Sequence, residues 1–95
     1  MEELLREIGI SKQGEYSKNN AYVIDLEDDL EFGKVYSNLE NSKEIEEMED
    51  NQLITSDDAH LSYTDTSGKY QINLIGDFKA GIYKVVINEF QGEED

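Results

Sequence analysis

An α+β fold is predicted, with an antiparallel sheet of about four strands and one or two short helices. Three observations carry this. Apolar residues alternate along three segments of the C-terminal half, joined by two short connections, which is the pattern of a three-stranded meander. Apolar residues recur at helical spacing in two segments of the N-terminal half. There is no proline anywhere to break either pattern. With 95 residues, the chain suits one domain with a modest core, over residues 1–90, followed by an acidic tail at 91–95.

The first helix is expected over Glu2 to Ile8. Leu4, Leu5 and Ile8 give it one apolar edge, Glu2 and Glu3 suit the positive end of its dipole, and Gly9 is placed to stop it. Two turns persist only if they dock on something. Ser11 to Asn20 is polar and reads as a loop. Ala21 to Leu26 reads as a strand, with Tyr22, Ile24 and Leu26 on one face and Val23 and Asp25 on the other.

Phe32, Val35, Tyr36 and Leu39 stand at i, i+3, i+4 and i+7, predicting a helix from about Asp29 to Glu40. Asp28 followed by Glu31 resembles a capping box. Gly33 within the pattern costs about 1 kcal/mol relative to Ala. A strand through Val35, Ser37 and Leu39 is the competing pattern. Asn41 to Asn51 has five acids and only Ile45 and Met48 as apolar residues, reading as an acidic loop or a short helical turn.

Leu61 and Tyr63 alternate in a first meander strand, Tyr70, Ile72 and Leu74 in a second, and Tyr83, Val85 and Ile87 in a third. Asp65 to Gly68 marks the turn between the first two, with Gly68 supplying a positive φ. Ile82 and Val86 make the third strand apolar on both faces, which suits a central or helix-covered position. The run Gly81-Ile82-Tyr83-Lys84-Val85 resembles the entry to a late strand of immunoglobulin-like sandwiches.

Composition narrows function more than any motif does. Asp and Glu number 23 against eight Lys and Arg, a net charge of -15, and hydrophobic residues are only 37%. Direct binding of nucleic acid is disfavoured, because phosphate contacts need clusters of Lys and Arg. Anionic membrane surfaces repel such a chain, and no apolar run approaches the roughly 20 residues that span a bilayer. The absence of cysteine rules out thiolate chemistry and suits a reducing cytoplasm. Neither a cofactor nor a specific metal is expected, since glycine-rich phosphate loops and calcium-loop spacing are missing. His60, the single histidine, has Asp57, Asp58 and Ser62 nearby. It reads as a polar residue at a strand edge, and the chain as a non-enzyme.

The acids are unevenly placed. Asp25 to Asp50 holds eleven against two lysines, a local balance of -9. Ordinary surfaces mix both signs, so this stretch reads as the working surface. The candidate contacts are Glu27, Asp28, Asp29, Glu31, Glu40, Glu44, Glu46, Glu47, Glu49 and Asp50, with Tyr36 as an interface anchor. In size, charge and lack of cysteine, the chain resembles the class of small phage-encoded DNA-mimic inhibitors. These include anti-restriction, anti-CRISPR and uracil-glycosylase-inhibitor proteins. The resemblance implies a basic, nucleic-acid-binding protein as partner. The competing expectation is a small structural or accessory module, of phage or mobile-element type. It self-associates, as a homodimer for instance, or joins a larger assembly through its sheet.

Overall fold

The computed structural model describes residues 2–18, 21–48 and 52–89. Alternation of apolar residues builds one antiparallel sheet from the strands β1 (Glu15–Tyr16), β2 (Tyr22–Leu26), β3 (Ile45–Glu47), β4 (Leu53–Ile54), β5 (Asp58–Asp65), β6 (Tyr70–Asp77) and β7 (Ile82–Glu89). The helices are α1 (Glu2–Glu7) and α2 (Asp29–Asn41). Lateral order is β1-β2-β7-β6-β5-β3, and β4 also pairs with β5. The meander β5-β6-β7 is therefore the middle of the sheet, and β7 is central, between β6 and β2. Gly68 has φ 77° in the β5–β6 turn, as its position required.

One face of the sheet carries the core. Ile24, Val85, Leu74 and Leu61 lie side by side across four strands, as do Tyr22, Ile87, Ile72 and Tyr63. Val35 and Leu39 of α2 and Ile8 beside α1 seal this face, all three essentially inaccessible to water. At about 25 cal/mol per Å² of apolar surface removed from water, these rows supply most of the driving force for folding. The six-residue α1 persists because it docks. Asn38 of α2 donates from Nδ2 to the Ile8 carbonyl at 3.0 Å, and Ser42 donates from Oγ to Glu7 at 2.6 Å. Gly9 turns the chain with φ 79°, and a Cβ there would meet the Asn38 side chain.

Three findings depart from the sequence-based picture. The sheet has seven strands, because three short ones were not anticipated. β1 lies inside the expected loop. β3 lies inside the stretch expected to be loop or helical turn, where Ile45 is buried and the segment pairs with β5. β4 pairs with β5 further along the same edge. Gln52 bridges β3 and β4. Its side-chain amide donates to the Ser62 carbonyl and accepts from the Ser62 N–H, both at 2.9 Å, imitating a strand residue. The run Gly81 to Val85 does enter the last strand, but within one helix-backed sheet and not a two-sheet sandwich. His60 lies on β5, which has partners on both sides, so it is a mid-sheet residue and not an edge one. The expected tail at 91–95 lies outside the described residues.

Candidate functional site

The N-terminal end of α2 is fixed by its own acids. Asp28 is the N-cap, with extended backbone, and its Oδ1 accepts the Glu31 N–H at 2.9 Å. Glu31 reaches back, and its Oε1 accepts the Glu27 N–H at 2.7 Å. The Asp28 contact satisfies a donor that the helix start leaves open, while Glu31 reaches one residue further back than a capping box requires. Lys12 adds an ion pair to Glu31 at 3.0 Å. The Glu27 N–H first, and the Lys12 ammonium second, hold the Glu31 carboxyl below the usual glutamate value. Glu31 is thus committed to the fold and already partnered by a cation. Asp28 is committed as a cap but keeps its exposed negative charge.

Further along α2 a different arrangement appears. At 100° per residue, Asp29, Gly33, Tyr36 and Glu40 line one stripe, on the flank of the helix beside its buried Val35–Leu39 face. Glu31 falls on the opposite flank. Tyr63 of β5, 1% exposed, donates its hydroxyl to Glu40 Oε2 at 2.6 Å. Burial first, and the Glu40 carboxylate second, hold this phenol far above its ordinary range, so it remains a donor. Glu47 on β3 lies directly across the ladder from Tyr63, and its charge also acts on that phenol, as does Tyr36. Glu40, by its hydrogen bond, and Glu47, across the ladder, therefore flank one buried hydroxyl, and Tyr36, 39% exposed, lies one turn before Glu40 on the same helix stripe.

The other candidates disperse. Glu27 and Asp28 stand at the helix start with Asp29 and Glu31. Glu44 lines a groove between α1 and the β5–β6 turn, together with Arg6, Asp65 and Lys69. Glu46 points to the opposite sheet face, across from Thr64. Glu49 and Asp50 lie outside the described residues. Among the described residues only Glu31 and Asp57 are held in ion pairs, with Lys12 and Lys79, so most carboxylates face water without a cation beside them.

One feature of this surface was missed in the sequence. Phe32, Phe78 and Tyr83 form a mutually tilted aromatic cluster with ring centroids 5.5–6.1 Å apart. It closes over Gly76, where a Cβ would come within 2.9 Å of the Phe32 ring. A glycine inside an otherwise alternating strand was the available signal, since it marks close approach of another group. Phe32 is one turn from Tyr36, so the cluster extends the apolar part of the α2 flank.

The geometry offers no nucleophile–base pair at His60. Its Nε2 approaches Asn73 Oδ1 at 3.3 Å, and Ser62 donates its hydroxyl to that same oxygen at 2.9 Å. The serine proton is thus directed to an amide and not to the imidazole. Among the described residues no three His, Asp or Glu side chains come together as metal ligands, and no helix is long and apolar enough to cross a membrane. Compared with known proteins, the chain matches no family model, no curated protein and no solved structure.

Proposed function

We propose that this chain is a cytoplasmic binding protein, of phage or mobile-element type. It docks the α2–β3 surface on a basic, nucleic-acid-binding surface of a partner protein and occupies it in place of nucleic acid. The observation that carries this reading is the Tyr36–Glu40–Glu47 group around Tyr63. It has carboxylates without cationic neighbours, one of them held by a buried hydroxyl, beside a half-exposed tyrosine. Charge of this sign attracts a cationic groove over distances near the Debye length and speeds encounter. Preorganised carboxylates lose little freedom on binding, and a tyrosine adds contact area that simple ions do not. Asp29, one stripe along the same helix flank, lengthens the charged track by about three turns, roughly 16 Å.

The test is capture from host lysate at low salt on the immobilised chain, with a salt gradient for elution. A DNA- or RNA-binding protein should be retained, released by salt, and displaced by added nucleic acid. A variant carrying Tyr36→Ala, Glu40→Gln and Glu47→Gln should lose it. A partner held equally at about 0.05 M and 0.5 M salt, or held equally by that variant, removes the basis of the proposal.

A further inference from the structure

Both helices pack on the core face of the sheet, and the opposite face has a definite layout. Val23, Val86, Asn73 and Ser62 lie side by side across its middle, with Ile75 and Lys84 in the adjacent row. The polar members of the middle row satisfy one another. Ser62 is 3% and Asn73 8% exposed, and Asn73 Oδ1 accepts from Ser62 while its Nδ2 donates to the Val86 carbonyl. The centre can therefore be covered without stranding a polar group. Around it stand Glu15 and Asp25 on one side, Glu46 and Asp58 on the other, and Asp77 at one end. Among the described residues, strand register sets one cation among these five carboxylates, Lys84, across the ladder from Asp25, while Lys12 donates to the Asp25 carbonyl at 3.2 Å.

We propose that this face binds a basic amphipathic helix of a partner protein. Strands are about 4.8 Å apart, so β2 and β5 are separated by about 14 Å, wide enough to seat a helix some 10 Å across. An apolar stripe would lie on Val23, Ile75 and Val86. Lysines and arginines on its flanks would reach the two rims, their stems covering the intervening surface. The same sheet already accepts a helix on its other face, through Val35 and Leu39 at helical spacing. Charge decides against a second copy of this chain: face-to-face pairing would oppose two sets of five carboxylates around a dry centre, on top of a net charge of -15 each. This assignment stands apart from the α2–β3 reading, because it uses the other side of the sheet.

The probe is a synthetic 18-residue peptide of leucine and lysine with leucines at i, i+3, i+4 and i+7. The control is a shuffled peptide of equal charge. Both are titrated into the full chain and followed by amide NMR. Saturable shifts centred on Val23, Asn73, Ile75 and Val86, with affinity at least tenfold above the control, are expected. Asp25→Asn with Asp58→Asn, both solvent-exposed, should weaken binding about tenfold without lowering the melting temperature, and Ile75→Gln should weaken it by removing apolar contact. Shifts centred on Asp29, Tyr36 and Glu40, equal binding of both peptides, or a salt-insensitive dimer burying this face without peptide would each overturn the assignment. Shifts centred on Asp29, Tyr36 and Glu40 would favour capture through α2 and β3 instead, and the other two results leave that reading to the Tyr36, Glu40 and Glu47 variant.

Discussion

At the residue scale, the Tyr63–Glu40 hydrogen bond ties the core to the candidate surface. A phenol at 1% exposure keeps its shape when replaced by Phe, so Tyr63→Phe removes the bond without opening a cavity. A hydrogen bond to a charged acceptor contributes about 1.5–3 kcal/mol, and the exposed carboxylate places this one near the lower end. The substitution should therefore lower the denaturant midpoint by about that free energy divided by m, with m itself unchanged. It should also weaken partner capture, because Glu40 is no longer held in place. Gly33 is the opposite case. It lies inside α2, is exposed, and has open space where a Cβ would go. Gly33→Ala should stabilise the chain by about 1 kcal/mol, raising the melting temperature by roughly 4–8 °C. The glycine sits on the Asp29–Tyr36–Glu40 stripe, where a missing side chain lets a partner come close. A bulky Gly33→Leu should accordingly keep or raise stability while reducing capture, which parallel melting and binding measurements would separate.

At the element scale, α2 is where local rules and tertiary structure agree best. Its expected span, Asp29 to Glu40, differs by one residue from Asp29–Asn41, because the cap, the apolar spacing and the first-turn acids all point to one helix. The meander was equally legible, since strands of eight residues alternate long enough to declare a face. The short strands were not. β1 and β4 have two residues and β3 three, too few for a period, and their pairing is dictated by partners distant in sequence. The site was half legible for the same reason. The sequence locates the acids but does not say which flank of α2 meets β5, nor that Tyr63, 23 residues beyond Glu40, would anchor it. Two predictions belong to the helix start. Asp28→Ala should cost about 1 kcal/mol, read by thermal melting, since it leaves the Glu31 N–H without its acceptor. Glu31 has a folded pKa below its ordinary value of 4.5. Its contribution is therefore fully present above the unfolded value and fades as pH falls through the lower folded one. The stability gap between the chain and Glu31→Gln should be constant well above the ordinary value of 4.5 and shrink as pH falls below it.

At the scale of the whole molecule, charge and fold pull against each other. The core rows are continuous over four strands, yet the surface carries a net charge of -15 with only two ion pairs among the described residues. Repulsion of this kind acts over about 30 Å at 0.01 M ionic strength and about 8 Å at 0.15 M. At the lower ionic strength that range spans the sheet, and at the higher it covers only near neighbours. Raising simple salt from about 0.01 M to 0.15 M should therefore raise the melting temperature by several degrees, through screening alone. An ordinary surface of interleaved charges would show almost no change, because its attractions and repulsions are screened together. The same salt should weaken capture of a basic partner, so stability and binding move in opposite directions along one titration. That opposition is the physical signature of charge retained for recognition at the expense of the fold. If melting temperature and capture both stay flat, the carboxylates are too well hydrated to act on either, and the electrostatic account of the surface fails at its root.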